Sequence, residues 1–144
     1  MEKPALLRAE IERHLPEIAQ NPDKLTMFVS AGRMVAHKAT LSHETRFTLS
    51  LLITDFTGSQ DILNTIIINW LQTHQPDILG PGAADPNAYT FEADLLGHGA
   101  ADILIELKLT ERTRALIDDA RNIHIDHPPE PTHKKDLLGI LGTP

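Results

Sequence analysis

The stretch YTFEADLLGHGAADILIELKL, residues 89–109, is the strongest indication of the fold. Apolar and polar residues alternate on both sides of Gly97, His98 and Gly99, and a period of two is typical of β-strands with one buried face. The glycine-containing connection is short enough for a tight turn. The stretch therefore predicts a β-hairpin with these residues on its apolar face: Tyr89, Phe91, Ala93, Leu95, Ile103, Ile105, Leu107 and Leu109.

Further strands are predicted on both sides of this hairpin. Residues 46–54 alternate in the same way, and residues 25–38 are typical of two strand segments around a turn or bulge at Gly32. After the hairpin, a weaker pair of strands is predicted near residues 116–117 and 123–125. The predicted strands therefore fall into two groups, residues 25–54 and residues 89–125.

Two helices are predicted to cover this sheet. The first extends from Pro4 to about Gln20, and a kink or break is expected at Pro16 because proline lacks the backbone N–H. The second follows Ser59, a candidate N-cap, and ends before Pro76. With no repeated βα unit, this order predicts an α+β domain in which a mostly antiparallel sheet packs against two helices. On the apolar stripe of the second helix, Trp70 is predicted to be a core anchor.

Composition limits the function as well as the fold. The chain has 13 Lys and Arg against 20 Asp and Glu, a net charge of −7, which disfavours recognition of nucleic acid or an anionic membrane. Its charged N-terminus matches neither a signal peptide nor a membrane span. It has no cysteine, which excludes thiolate nucleophiles and disulfides. We expect one domain at residues 1–127 and an extended C-terminal tail at residues 128–144.

No motif for phosphate binding, hydrolysis or zinc proteolysis is present. The spacing of His124, Asp126 and His127 could hold a divalent cation with one more ligand, but an exposed polar strand end is the favoured interpretation. The chain is accordingly predicted to be no enzyme, with no catalytic residue, metal or cofactor.

Paired carboxylates on the hairpin are a second chemical candidate. Glu92 with Asp94, and Asp102 with Glu106, fall on the polar face. Acid–base chemistry would need an apolar pocket to raise one pKa, whereas the alternation places these groups in water. A solvated face is therefore the favoured interpretation.

Two short segments are candidates for interactions with other molecules. The first comprises Asp55, Phe56, Thr57 and Gly58, where a strand meets the second helix; it is either a ligand loop or a structural turn.

The second segment comprises Thr110, Glu111 and Arg112, which follow the last strong strand at its polar end. It forms either a salt bridge between subunits or an ordinary surface ion pair.

Four separated blocks of sequence resemble one known family. They are NPDKL followed by FV (residues 21–25, 28 and 29), TLSLLITDFTG (48–58), WLQTHQPDIL (70–79) and ADILIELKLTERT (101–113). Their order and spacing resemble the P2-like phage tail completion protein R family over residues 3–131.

The resemblance implies a tail-terminator fold and a role in assembly. It implies a subunit that closes into a ring, expected to have six copies, on the last ring of tail-tube protein at the head-proximal end of the tail. Such a ring stops growth of the tube and presents a surface to the head-tail connector. The expected partners are thus copies of the chain itself, tail-tube protein and connector proteins. The chain would be made in the host bacterial cytoplasm and end in the virion tail.

Two alternatives remain at this point. One is a small metal-dependent enzyme that uses His124, Asp126 and His127 or the loop at residues 55–58. The other is a neck or sheath-associated protein of the same particle.

Overall fold

The structure, a computed structural model, describes residues 1–83 and 85–130. It confirms the predicted α+β class, with a mostly antiparallel sheet. The helices are α1 (Lys3–His14), α2 (Pro16–Gln20) and α3 (Gln60–His74). The strands are β1 (Leu25–Ala36), β2 (His43–Phe56), β3 (Tyr89–Leu95), β4 (Ala101–Ile117) and β5 (Ile123–Asp126).

The main sheet has the order β1-β2-β4-β3, and every neighbouring pair is antiparallel. The longest pairing joins β2 and β4, from His43 opposite Thr113 to Phe56 opposite Ala101. β5 pairs with the end of β4. The two edges of the main sheet are therefore β1 and β3.

The hydrophobic core lies between one face of the sheet and the helices. Alternate residues of β2 and β4 point into it, as the period of two requires. Apolar residues of α1, α2 and α3 cover them at helical spacing. The core includes Leu7, Ile11, Ile18, Phe47, Leu49, Leu51, Ile53, Leu63, Ile67, Leu71, Ile103, Ile105 and Leu107.

Both helix predictions are confirmed in detail. The first helix breaks at Leu15, whose extended backbone separates α1 from α2 immediately before Pro16. At the start of α3, the Ser59 hydroxyl accepts a hydrogen bond from the Ile62 N–H. A proline and a capping serine therefore set these boundaries, as the sequence indicates.

One strand boundary differs from the sequence prediction, whereas the predicted interruption near Gly32 is confirmed. β1 is one continuous strand whose register shifts between Ser30 and Arg33, so the interruption is the predicted bulge and not a turn. β4 is also continuous, and the prediction that residues 110–112 follow the end of a strand is wrong. Pairing with β2 continues to Thr113, so the backbone ladder extends through this polar segment.

The first residues of the predicted C-terminal tail lie against the domain. Arg112 donates to the Pro129 carbonyl at 2.7 Å, and the Glu130 carboxylate lies 3.3 Å from the Lys3 ammonium. The rest of the predicted tail, residues 131–144, lies outside the described residues.

Candidate assembly surface

The junction of β2 and α3, residues 55–58, is stabilised by bonds within the chain. Thr57 donates its backbone N–H and its hydroxyl to the two carboxylate oxygens of Glu17, at 2.9 and 2.8 Å. Lys24 donates to the same carboxylate at 2.8 Å and to the Asp55 carbonyl at 3.0 Å. This explains the junction without a ligand, and its predicted role in interactions stays a prediction.

The surroundings of Glu17 at this junction favour the ionised form of its carboxyl. Burial raises its pKa, but the hydrogen bonds from Lys24 and Thr57 outweigh burial, so the pKa lies below its ordinary value. The ionised form is therefore the one that holds α2 to the β2–α3 junction.

Phe56 and Gly58 at this junction have steric roles. The Phe56 side chain is 2% exposed and belongs to the core. A Cβ at Gly58 would lie 2.7 Å from Phe56 Cζ, which is closer than real Cβ contacts. Glycine at residue 58 thus allows the chain to pass directly over the aromatic ring.

Thr110 and Glu111 of the second predicted segment belong to a polar cluster that we call the N-terminal corner: Lys3, Gln75, Thr110, Glu111 and Glu130. Lys3, Gln75 and Glu111 are buried, and the other two are half-buried. The Glu111 carboxylate accepts hydrogen bonds from the backbone N–H groups of Glu2 and Lys3, at 2.6 and 2.8 Å. It satisfies the first N–H groups of α1 and places a negative charge at the positive end of the helix dipole. Glu111 is 6% exposed and stabilises its own subunit, and the predicted role of residues 110–112 in interactions stays a prediction.

Lys3 and Gln75 complete the N-terminal corner. The Lys3 ammonium donates to Gln75 Oε1 at 2.7 Å and also to the Thr110 carbonyl. Gln75 Oε1 accepts from the Thr110 N–H at 2.9 Å. Burial lowers the pKa of Lys3, while the neighbouring carboxylates of Glu130, Glu111 and Asp77 counteract this effect.

Arg112 and Trp70 are the remaining residues singled out by the sequence. Arg112 is half-buried and bonded to the segment at residues 128–130. Trp70 is 4% exposed in the core, where its ring stacks on His74 with centroids 4.5 Å apart. Trp70 is therefore part of the core, whereas Arg112 is partly exposed and bonded within its own subunit.

The three candidate metal ligands are engaged elsewhere. His124 lies 2.7 Å from Asp118, and Asp126 lies 3.1 Å from Arg114. The His127 ring instead lies 3.3 Å from the Arg112 carbonyl. Within residues 1–83 and 85–130, no group of three His, Asp or Glu side chains is arranged to hold a metal ion.

The paired carboxylates lie on the sheet face opposite the helices. Asp94 of β3 is directly opposite Asp102 of β4, and Glu92 is exposed. Asp102 accepts the Asp55 N–H at 2.8 Å. Their surroundings are open, which agrees with the expectation of a solvated face.

The most distinctive surface is the β3 edge, which we define as Tyr89, Phe91, Ala93 and Leu95 together with Glu92 and Asp94. Phe91 and Leu95 lie in register with the core residues Ile105 and Ala101, yet they are 60% and 76% exposed. The helices thus leave the outer strand uncovered at these positions. A long apolar edge strand is a surface for association with another chain.

One end of the β3 edge is anchored to the domain. Tyr89 donates its hydroxyl to the Asn64 side chain of α3, and burial raises the pKa of Tyr89 to about 12. At the other end, Leu95 borders a groove of about 270 Å³ that Phe56, Gln60 and Ala101 also line. The strand is therefore held in place, while its middle and far end remain accessible.

A second apolar surface projects beyond the main sheet. The end of β4 and β5 form a two-stranded hairpin, which we call the arm, residues 114–126. Its exposed apolar side chains are Leu116, Ile117, Ile123 and Ile125. An isolated two-stranded hairpin is marginally stable in water, so contacts with another molecule would stabilise the arm.

Sequence reasoning missed both exposed surfaces as candidate sites. It correctly found the strands, but alternation alone does not distinguish a central strand from an edge strand. The short turn that joins β3 to β4 is visible in the sequence, but the position of β3 at an edge of the sheet depends on strand order.

No helix among the described residues is long and apolar enough to cross a membrane.

Comparisons with known proteins identify the family of the chain. The family model of P2 phage tail completion protein R (GpR) matches residues 1–131. The chain is 38% identical to tail completion protein R of Escherichia phage P2, over 99% of this chain and 95% of that protein. No solved structure matches. The chain therefore belongs to the P2 phage tail completion protein R family.

Proposed function

We propose that this protein completes a phage or prophage tail. Copies of the chain form a closed ring, of six subunits, that caps the head-proximal end of the tail tube and stops its polymerisation. The ring then presents a surface to the head-tail connector, and the protein remains in the virion tail.

The observation that carries this proposal is the similarity to tail completion protein R over nearly the full length of both chains. A family of structural tail proteins is not a class of enzymes, so the metal-dependent alternative is not favoured. The exposed apolar residues of the β3 edge and the arm support the proposal, because surfaces of this kind are typical of proteins that function by contact.

Growth of tail tubes in vitro tests the proposal. Tube protein from the same phage or prophage is polymerised with increasing amounts of this protein, and tube lengths are measured by electron microscopy. We expect shorter tubes that carry extra density at one end. Unchanged length and bare ends would contradict the capping role.

The ring is tested separately by light scattering. We expect the mass to increase with concentration toward a closed oligomer, either for the protein alone or with short tubes. A strict monomer under both conditions would contradict the ring.

A further inference from the structure

The direction of the strands would allow the two edges of the main sheet to pair with each other as antiparallel strands in different copies. In the order β1-β2-β4-β3 every neighbouring pair is antiparallel, so β1 and β3 run in opposite directions. Suppose that a second copy is related to the first by rotation and that its sheet continues the sheet of the first copy. β1 of the second copy would then lie antiparallel to β3 of the first copy. Edge-to-edge contact between copies therefore needs no change of strand direction.

Charge also differs between the two edges. On the face opposite the helices, Arg33 lies on β1, whereas Glu92 and Asp94 lie on β3. All three are exposed and, within residues 1–83 and 85–130, have no charged partner within 4.0 Å. By contrast, Arg46 and Lys108 on the central strands are paired with Glu44 and Asp85. Opposite charges thus remain available at opposite edges.

On the helix-covered face, both edges of the main sheet carry exposed apolar residues. Val29 and Met34 of β1 are 41% and 57% exposed, and both lie opposite β2 residues of the helix-covered face. Phe91 and Leu95 of β3 are on that same face. If the sheet continued into a second copy, apolar residues would meet apolar residues and Arg33 would meet the acidic pair.

We propose that β3 of one copy pairs with β1 of the next, so that subunits join head to tail through one continuous antiparallel sheet. This inference rests on the proposed ring and specifies the contact that builds it. The β1 bulge between Ser30 and Arg33 limits the pairing to short segments on either side.

Charge reversal in two separate variants tests this arrangement. Arg33→Glu alters only the β1 edge, and Glu92→Arg with Asp94→Arg alters only the β3 edge. Each variant alone should associate at least about tenfold more weakly than the unmodified protein, because like charges would face each other. Arg13→Glu, on the exposed surface of α1 and outside both the β3 edge and the arm, is the matched control and should associate normally.

Mixing the two defective variants gives the decisive result. In an alternating ring, the β1 edge of the Arg33→Glu variant faces the β3 edge of the double variant, so opposite charges meet again with reversed sign. The remaining contacts keep the original charges. The mixture should therefore recover the mass that neither variant reaches alone, as measured by light scattering. Recovery requires two different edges in one contact, which a contact between identical patches does not predict.

Amide hydrogen exchange on the unmodified protein gives a second test that needs no variant. Exchange in β1 and β3 should become slower when the protein assembles. If the protein assembles while both edges exchange as before, or both variants assemble normally, the edge contact is wrong and the ring forms elsewhere. If the unmodified protein stays monomeric with and without tubes, the proposed ring itself is wrong.

Discussion

The N-terminal corner and the β3 edge reverse the usual distribution of polar and apolar residues. In the N-terminal corner, Lys3, Gln75 and Glu111 are buried, and each forms hydrogen bonds within the subunit. On the β3 edge, Phe91 and Leu95 are exposed although their strand neighbours lie in the core.

The difference separates residues that stabilise the subunit from residues that are available to a partner. A buried charged group is tolerated only when its hydrogen bonds are made, so the polar residues of the corner are committed to the fold. An exposed phenylalanine on an edge strand adds little to folding but provides a large apolar contact. Burial therefore distinguishes the charged residues that stabilise the subunit from the exposed residues that a partner could reach.

The largest expected effect is the difference in the free energy of unfolding between two phenylalanine variants. Phe56→Ala should lower the free energy of unfolding by about 3–5 kcal/mol, because it removes a ring that is 2% exposed. Phe91→Ala should change it by less than about 0.5 kcal/mol, because this side chain is 60% exposed. Urea unfolding of both variants measures the difference. Equal losses would contradict the distinction between committed and available residues.

The next largest effect concerns Glu111 of the N-terminal corner. Glu111→Ala should lower the free energy of unfolding by about 2–3 kcal/mol, because the N–H groups of Glu2 and Lys3 at the start of α1 lose their acceptor and the Lys3 ammonium loses a nearby charge. Glu92→Ala, an exposed carboxylate on β3, is the control and should be nearly neutral.

Unfolding in urea compares these two variants as well. If Glu111→Ala were as stable as the control while its oligomer was lost, Glu111 would act between subunits after all.

Local patterns predicted most of the fold. Alternation located β2 to β4, Pro16 located the break between α1 and α2, and Ser59 located the start of α3. These features depend on residues that are close in sequence, so the sequence displays them directly.

The end of β4 was harder to predict for a physical reason. Glu111 looks like a residue beyond the strand because it is charged. Its burial depends on the N–H groups of residues 2 and 3, more than 100 positions away in the chain. No local pattern contains that contact.

The candidate surface was also hidden from the sequence. Phe91 alternates with its neighbours in the same way as Ile105, but Ile105 lies between two strands and Phe91 lies on an edge. Burial of a strand residue depends on what covers it, and the helices cover β4 rather than β3. Strand order is therefore needed before exposed apolar residues can be recognised.

A smaller effect tests the steric explanation of the β2–α3 junction. Gly58→Ala should lower the free energy of unfolding by about 1–2 kcal/mol, because the new Cβ would lie 2.7 Å from the buried ring of Phe56. Gly97→Ala is the matched control, since an added Cβ there meets nothing within 4 Å. Thermal unfolding compares the pair. A junction that tolerated alanine, but lost assembly, would instead support the predicted interaction role of residues 55–58.

The smallest effect is a dependence of stability on pH at the same junction. The folded-state pKa of Glu17 lies below its ordinary value of 4.5, so its contribution is fully present above that value. The contribution is lost as the pH falls through the folded-state pKa, when protonation weakens the bonds from Lys24 and Thr57. Glu17→Gln should therefore be less stable than the unmodified protein at neutral pH, and this difference should narrow below about pH 4.5. Parallel unfolding curves with a constant difference across this range would show that the Glu17 charge does not hold α2 to the junction.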